Sequence, residues 1–225
     1  MHTILTRLAA LFAGFLLLSC SFAQKATRLF VPGDSANWRS YIPAHGVNKD
    51  PNKVFLFDEE TLHVSGSEFG YLVTKESYSD FHLVLQFKWG EKKFPPRENA
   101  KRDGGILYHT DFYSGDKVWP RSLEYQIQEG DCGDFWMTDS TIILHKGRLT
   151  QPTNAFQAVK TSDAEKPHGE WNKAEVIVKD GNITHLLNDV VVNTGKLVNT
   201  SRGQILLQSE GAELYYKDIW VTDLE

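Results

Sequence analysis

One short segment carries the row of polar side chains best suited to chemistry. Glu124, Gln126 and Gln128 occupy alternate positions, and apolar residues separate them. Alternate side chains of a strand share a face, so the three would lie side by side, opposite an apolar face. Fixed carboxyl and amide groups suit the hydroxyl groups of a sugar, because they offer both acceptors and donors. The alternative interpretation is an ordinary solvated sheet face.

Two further segments place polar groups in the same way. Gln208 and Glu210 share a face of one predicted strand, while Asp103, Gly105 and His109 share a face of another. A glycine within a strand leaves room for a ligand or a neighbouring backbone to approach closely. If these strands lie in one sheet, their polar groups form a common groove. Strand order is not visible in the sequence, so the groove is a hypothesis.

A cluster of acids and glycines follows the first polar row. Glu129, Asp131 and Asp134 lie close together in the sequence, and closely spaced carboxylates can wrap a hard divalent cation such as Ca²⁺. The segment does not match an EF-hand loop, so a tight acidic turn is the alternative. Trp136 comes soon after, where its ring would either stack on a sugar or fill the core beneath the loop.

Isolated histidines and one lysine are further candidates. His109 and His145 lie where predicted strands end beside the groove, and Lys146 adjoins His145 and could stabilise an anion. Each histidine also has a structural alternative, as part of an ordinary strand face. We interpret Cys132 as a small packing residue, because the neighbouring acids would raise the pKa of its thiol. The sequence contains no metalloprotease, serine-hydrolase, P-loop or dinucleotide-binding motif.

The segments that must position these residues are short and have a period of two. Turn-forming residues separate the alternating segments, which are 81–89, 123–128, 173–179, 204–210 and 215–221. No long segment shows the period of an amphipathic helix. The pattern predicts an all-β protein, a two-sheet β-sandwich of jelly-roll type. The polar stretches 91–102 and 151–168 are predicted to be long loops that border the binding site.

Composition and charge exclude some functions. The chain has 225 residues, with 24 basic and 29 acidic side chains and a formal net charge of −5. No basic stripe is present, so we expect no nucleic-acid partner. No repeat or low-complexity linker divides the chain, and residues 24–225 are therefore expected to form a single carbohydrate-binding or catalytic domain.

The first residues have the pattern of a secretory signal. Arg7 precedes an apolar run from Leu8 to Leu18, which is too short to span a bilayer as a mature helix. In one interpretation, residues 1–23 form a signal peptide that is cleaved before Gln24. In the other, the signal ends at Ser19 and a lipidated Cys20 attaches the protein to a membrane. Both interpretations predict export, to the periplasm or as an outer-membrane lipoprotein.

Several motifs in order resemble one known family. They are Phe81 to Trp89, Arg102 to Tyr108, Ser122 to Ile127, Gly169 to Asn172, and Gly203 to Gln208 followed by Lys217 to Ile219. Together they resemble the 3-keto-disaccharide hydrolase family (3-keto-glucoside lyase-hydratases), which implies a concanavalin A-like, laminin-G-like jelly roll. The family commonly has Asn-Ser-Gly-Ile where this chain has Asp103-Gly104-Gly105-Ile106. It often has Arg in place of His109 and His near Glu210.

The resemblance implies cleavage of glycosides already oxidised at C3. The ketone acidifies the C2 proton, a base removes it, the enolate expels the group at C1, and water then adds back. Such a site needs a base, a group that holds the enolate oxygen and an acid, but not two carboxyls at glycosidase spacing. For this chemistry our hypothesis assigns Glu124 or His109 as the base, and Lys146 or a bound cation as the group that holds the enolate. The predicted substrate-binding residues are Gln126, Gln128, Gln208, Glu210, Trp136, Arg102, Asp103 and His145, of which Gln126 and Gln208 lie inside the matched motifs.

Three other functions compete with this one. A non-catalytic, lectin-like module could use the same Glu, Gln and Trp side chains for binding, since fold does not fix function. A conventional concanavalin-like glycosidase needs two carboxylates across one face, and Glu124 and Glu129 differ by an odd number, which puts them on opposite faces of a regular strand. A structural or adhesion protein is the weakest alternative, because the chain has no repeats.

Overall fold

In the described part of the chain, all regular secondary structure is strand. The computed structural model describes residues 25–113 and 115–225. Within these ranges there are eighteen strands and no helix, hence no helix that could cross a bilayer. The strands are β1 (Ala26–Arg28), β2 (Trp38–Ile42), β3 (Gly46–Val47), β4 (Phe55–Phe57), β5 (Leu62–Val64), β6 (Gly70–Tyr78), β7 (Phe81–Lys93), β8 (Asp103–Asp111), β9 (Arg121–Gln128), β10 (Phe135–Thr138), β11 (Ile143–His145), β12 (Arg148–Leu149), β13 (Ala155–Ala158), β14 (Asn172–Lys179), β15 (Asn182–Leu187), β16 (Val190–Leu197), β17 (Gly203–Ser209) and β18 (Ala212–Asp223). The predicted signal segment and Cys20 lie outside the described residues.

These strands form two antiparallel sheets. The larger sheet has ten strands in the order β12-β11-β16-β15-β14-β7-β18-β5-β4, with β1 paired to β18. The smaller sheet has eight strands in the order β13-β10-β9-β8-β17-β6-β2-β3. Neighbours such as β8 and β17 are far apart in sequence, so the site depends on long-range pairing. The predicted all-β sandwich is confirmed.

The core lies between the two sheets and takes alternate residues from each. On β9, Leu123, Tyr125 and Ile127 are fully buried in this core, in the same cluster as Leu85 and Phe87 of the larger sheet. Each such side chain contributes about 1.5–3 kcal/mol through burial, and this fixes the register of the strand. A slip of one residue would exchange the apolar and polar faces.

A small apolar cluster lies on the outer face of the smaller sheet, away from the core. It consists of Tyr71, Val73, Leu107 and Leu206, with the ring of Phe112 5.7 Å from that of Tyr71. Asp116 covers the edge of this cluster. Its carboxylate accepts hydrogen bonds of 2.6 Å from Tyr71 and from Arg39. These contacts anchor the connection between β8 and β9 on the outer face, beside the polar row.

Two segments predicted to be loops contain strands. β7 continues to Lys93, beyond the start of the predicted loop 91–102. β13 lies inside the predicted loop 151–168 and forms the edge of the smaller sheet by pairing with β10. An edge strand with mostly exposed residues carries little hydrophobic alternation, which explains why the sequence pattern missed it.

Candidate active site

A groove lined by several of the predicted residues lies on the outer face of the smaller sheet. Its volume is about 560 Å³. Six predicted residues line it, namely Asp103, Glu124, Gln126, Gln128, Trp136 and Glu210. Seven further residues line it that the sequence did not single out, namely Arg97, Lys117, Trp119, Thr138, Asp139, Asn154 and Ala155. The predicted polar row therefore faces a pocket of the size that holds a small carbohydrate.

Strand pairing explains why distant residues meet here. Glu124 on β9 lies opposite Trp136 on β10 and, on its other side, opposite Leu107 on β8. Gln128 lies opposite Asp103 in the same β8–β9 pair. Because alternate residues share a face, one polar row extends across three strands.

Asp103 organises one end of the pocket. Its carboxylate accepts hydrogen bonds from Gln126 at 3.0 Å, from Gln128 at 2.6 Å and from the backbone N–H of Gly104 at 3.0 Å. Arg97 forms an ion pair with the same carboxylate. Burial raises the pKa of Asp103 to about 6, against the opposing effect of Arg97. With donors on both oxygens, Asp103 is a carboxylate at neutral pH and serves to orient its neighbours.

Glu210 shares the guanidinium of Arg97 with Asp103. Its Oε1 lies 3.0 Å from Nη1 of Arg97. Burial is the main reason why the pKa of Glu210 is raised to about 8. The negative charge of Asp103 adds to the rise and Arg97 opposes it. Glu210 therefore holds a proton at neutral pH and is available as an acid.

Glu124 differs from both neighbours, because no hydrogen bond or ion pair to its carboxyl group is found in the described part of the chain. Only 5% of the residue is exposed. Among the described residues nothing hydrogen-bonds its side chain, yet it lines the pocket. Burial first, then the charges of Glu210 and Asp103, raise its pKa well above the ordinary value. A buried, unpaired carboxyl that faces a cavity is the usual arrangement of a general base or acid.

Two indole rings border the same cavity. Trp136 is half-buried, and Trp119 is 48% exposed with its ring 6.2 Å from that of Phe69. Near them Lys117 forms an ion pair with Asp139. Exposed aromatic faces beside charged groups suit the apolar CH faces and the hydroxyls of a sugar ring. The predicted alternative for Trp136, burial beneath a loop, is not what the structure shows.

His109 was expected beside the site but lies outside it. A β-bulge interrupts the β8–β9 pairing after Tyr108, and His109 has a φ of 49°. The bulge turns the side chain away from the outer face, so that Nε2 lies 2.9 Å from the carbonyl oxygen of Ser79. Burial lowers its pKa. The expectation that His109 serves as the base is therefore corrected.

His145 and Lys146 are also placed elsewhere. His145 ends β11 of the larger sheet, and its Nε2 lies 2.9 Å from Oδ1 of Asn193. Lys146 follows, and its Nζ donates to the carbonyl oxygen of Val159 at 3.2 Å. Both line a separate surface cleft. Because their strand belongs to the opposite sheet, neither side chain can hold an enolate in this pocket, and this expectation is corrected as well.

The arginine at the site is Arg97, not Arg102. Arg102 donates to a carboxylate oxygen of Glu129 at 2.8 Å and to the carbonyl oxygen of Gly90 at 3.0 Å. It therefore connects neighbouring segments of the chain and does not line the pocket. Arg97 lies in the segment predicted to border the site. Nothing in the sequence distinguished it from its charged neighbours there. Gln208 is only 1% exposed and does not line the pocket, contrary to its expected contact with substrate.

The acidic cluster proposed for a divalent cation is not drawn together. Glu129 pairs with Arg102, and Asp131 with Lys101 at 2.7 Å. Asp134 accepts hydrogen bonds from Gln157 at 2.7 Å and from the backbone N–H of Lys160 at 2.8 Å. Within residues 25–113 and 115–225, no group of at least three His, Cys, Asp or Glu side chains could hold a metal ion. The carboxylates of this cluster thus serve local ion pairs and hydrogen bonds.

Comparison with known proteins adds a family and a fold. The model of a family described as the 3-keto-alpha-glucoside-1,2-lyase-like domain matches residues 25–222. A Parabacteroides distasonis protein named as a candidate glycosyl hydrolase is 19% identical, with a TM-score of 0.62 over 89% of this chain and 94% of that one. No curated protein matches the chain.

More distant structures share the same fold. LamA of Zobellia galactanivorans, solved with laminaritriose and laminaritetraose, is 11% identical, with a TM-score of 0.57 over 88% of this chain and 98% of that one. The carbohydrate-binding module CBM66 of Bacillus subtilis is 12% identical, with a TM-score of 0.50 over 70% of this chain and 84% of that one. At these identities the likeness is one of fold alone.

Proposed function

The chain belongs to the 3-keto-alpha-glucoside-1,2-lyase-like domain family, and we propose that it cleaves glycosides that carry a ketone at C3. The observation that carries the proposal is the carboxyl group of Glu124, which is buried at the pocket yet free of any described hydrogen-bond partner. Cleavage through a C3 ketone needs one base of raised pKa rather than a pair of carboxyls at glycosidase spacing.

The proposed reaction begins at C2. The ionised Glu124 carboxylate takes the proton from C2, and the electron pair of the C–H bond forms the enolate of the C3 ketone. The enolate then expels the oxygen substituent at C1, which leaves a double bond between C1 and C2. Glu210 lines the same pocket and holds a proton at neutral pH, so it is placed to protonate the departing oxygen.

Addition of water completes the cycle. Water attacks C1 and gives its proton to the Glu210 carboxylate, while protonated Glu124 returns its proton to C2. Both acids then recover their starting states, and the net reaction is hydrolysis of the glycosidic bond. Arg97 lines the pocket between the buried acids. Its charge stabilises negative charge that develops on the substrate.

The remaining pocket residues fit the recognition of a sugar. Gln126 and Gln128 are oriented by Asp103, so their amide oxygens have fixed directions. Fixed polar groups bind hydroxyls with little loss of side-chain freedom. Trp136 and Trp119 offer stacking surfaces on the same pocket.

The decisive experiment follows proton exchange and cleavage together. Methyl 3-keto-glucoside is incubated with the protein in deuterated buffer, and NMR detects the loss of the C2 proton and of the methyl group. We expect both with wild type and neither with Glu124→Gln. Exchange or cleavage at the wild-type rate in Glu124→Gln would disprove the role of Glu124. Parallel assays with and without a chelator test separately whether a divalent cation is required.

The pH dependence provides a second test. A base acts only when ionised, and burial raises the pKa of Glu124. The ascending limb of kcat/KM should therefore lie at a pH above about 4.3, the ordinary pKa of a glutamate. An acid acts only when protonated, so the rate should fall as pH exceeds about 8, where Glu210 loses its proton. In Glu210→Gln the fall on the alkaline side should disappear.

One observation favours a second candidate, a conventional glycosidase. Glu124 and Glu210 are both buried carboxyls on one pocket, whereas the glycosidase pair considered from the sequence was Glu124 and Glu129. Such an enzyme would hydrolyse unoxidised glucosides without exchange at C2, whereas the proposed enzyme would leave them intact. A lectin-like module would bind 3-keto-glucosides or unoxidised sugars and cleave neither.

We also propose that the mature protein is exported. The support is the apolar run from Leu8 to Leu18 and the small residues after it. Mass spectrometry of the mature N-terminus distinguishes cleavage before Gln24 from lipidation of Cys20. A protein that keeps residue 1 and stays in the cytoplasm would disprove export.

A further inference from the structure

The side-chain amide of Gln208 is buried without hydrogen-bond partners among the described residues. It is 1% exposed, and neither its Nε2 nor its Oε1 has a hydrogen-bond partner in the part of the chain that the structure describes. Buried amides are nearly always paired, so an orphaned one requires an explanation. Gln208 does not line the pocket, so a bound sugar is not the partner that it lacks.

The position of Gln208 points to Glu124. On β17, Leu206 pairs with Leu107 and Leu207 with Ile106, which places Gln208 across from Gly105. A Cβ at Gly105 would lie within 2.5 Å of Oε1 of Glu124 and of Oε1 of Gln208. The two side chains therefore converge over the backbone of Gly105, from β9 on one side and from β17 on the other. Only a glycine leaves space for this meeting.

Oε1 of Glu124 and Oε1 of Gln208 are both acceptors, so they can form a hydrogen bond only if a proton lies between them. If Glu124 is protonated, its hydroxyl can donate to Oε1 of Gln208. If Glu124 is ionised, a half-turn of the amide brings Nε2 to the same place, where it donates to the carboxylate. The two amide orientations have nearly the same shape. One residue can thus satisfy both protonation states of Glu124.

Other charged groups surround Glu124 without bonding to it. Asp103 on β8 and Glu210 after β17 repel its ionised form, and Arg97 pairs with those two acids instead. Tyr216 of β18 lies on the core side, and its hydroxyl also has no described partner. Gln208 is therefore the group best placed to contact the carboxyl directly.

We propose that Gln208 is a positioning residue, which holds the carboxyl of Glu124 over Gly105 and turns its amide as the proton leaves and returns. The effect on catalysis rests on the proposed function, whereas the contact itself does not. Proton abstraction alternates Glu124 between its two states, so a partner that serves both keeps the carboxyl in place throughout the cycle.

The test measures the protonation of Glu124 without substrate. Infrared spectroscopy follows the C=O band of the protonated carboxyl as a function of pH, and the band is assigned by its loss in Glu124→Gln. In Gln208→Met, which has similar size but no amide, we expect the midpoint to rise by about one pH unit or more, because the carboxylate loses its stronger, charge-assisted bond. Gln86→Met, on the far side of the larger sheet, should leave the midpoint unchanged.

Kinetics supply the second readout. In Gln208→Met the ascending limb of the pH–rate profile should move to higher pH by the same amount, with KM within about twofold of wild type because the residue does not touch the pocket. If this variant does not fold, Gln208→Asn replaces it, since its shorter amide cannot reach Glu124 and should give the same upward shift.

An unchanged midpoint in the folded variant overturns the proposal for Gln208, even if wild type cleaves 3-keto-glucosides. A raised midpoint in a protein that cleaves no such substrate supports the contact and rejects the proposed function. A large rise of KM with no shift of the profile also overturns the proposal, because it would make Gln208 a substrate contact.

Discussion

The two outer faces of the sandwich each hold a buried glutamate, but only one of the two glutamates has charged partners. Glu175, on the larger sheet, is 8% exposed and is paired with His82 at 2.8 Å and with Lys173 at 2.9 Å. Glu124, on the smaller sheet, is 5% exposed and has no such partner. A buried charge is stable only when paired. The smaller sheet thus keeps one carboxyl uncompensated, which stability alone would not select.

The aromatic residues show the same contrast. On the larger sheet the ring of Trp171 is covered by Lys217 at 4.3 Å and by Lys88 at 5.1 Å. On the smaller sheet Trp119 and Trp136 border an open cavity. Uncompensated polar groups beside open aromatic faces mark the site where the protein departs from maximal stability in favour of function.

The largest effect is expected from exchanging each glutamate for glutamine. Glu124→Gln should lower kcat on a 3-keto-glucoside by about a thousandfold, within the range of 10²–10⁴ for a general base. Glu175→Gln should retain activity within about twofold, because Glu175 lies on the opposite sheet. Steady-state kinetics on both purified variants measures the difference. Comparable losses in the two variants would remove the functional distinction between the faces.

The next effect concerns the cations. Arg97→Met leaves Asp103 and Glu210 without their shared partner, and we expect a loss of roughly 3 kcal/mol in the free energy of unfolding at pH 7. Lys173→Met should cost less, no more than about 1 kcal/mol, because Glu175 keeps His82 as a partner. Chemical denaturation checks both values. Equal losses would show that Asp103 and Glu210 depend on Arg97 no more than Glu175 depends on Lys173.

The stability of the protein should depend on pH through Glu124. Its folded-state pKa is raised by burial, so the folded form binds more protons than the unfolded form between the two pKa values. The contribution is complete below the ordinary value of about 4.3 and is lost as pH rises through the folded value. In Glu124→Gln the side chain does not ionise, so the variant does not lose this stability as pH rises. Its melting temperature should therefore exceed that of wild type by an amount that grows from pH 5 to pH 9.

The magnitude of that gain is on the order of 1–3 kcal/mol, the cost of an unsatisfied buried group. This corresponds to about 2–4 °C in melting temperature per kcal/mol for a chain of this size. Differential scanning calorimetry at several pH values provides the measurement. A constant difference across the pH range would mean that the pKa of Glu124 is the same in the folded and unfolded protein, contrary to the expected rise.

The smallest effect is expected from the tryptophans. Trp119→Ala removes one stacking surface of the pocket and should raise KM about fivefold, consistent with roughly 0.5–1.5 kcal/mol for an aromatic contact. Trp171→Ala, on the larger sheet, should leave KM unchanged. A KM that responds to Trp171 instead would place sugar binding on the opposite face.

Much of the fold was readable from alternation. Leu123, Tyr125 and Ile127 predicted a strand with one buried face, and the polar row of Glu124 followed from the same period. The edge strand β13 was missed, since exposed residues at an edge show no alternation. His109 was misplaced because a β-bulge, which the sequence pattern does not encode, turns it off its face.

The sequence by itself determined the sandwich class, the two faces of β9 and a polar row suited to sugars, because side-chain direction in a strand follows from chain position alone. Only the tertiary structure decided the chemistry of that row. It brought Asp103, Glu210 and Arg97 to Glu124 from separate segments, and it placed Lys146 on the opposite sheet. The physical reason is that pKa values depend on burial and on charges close in space, which the pairing of distant strands creates.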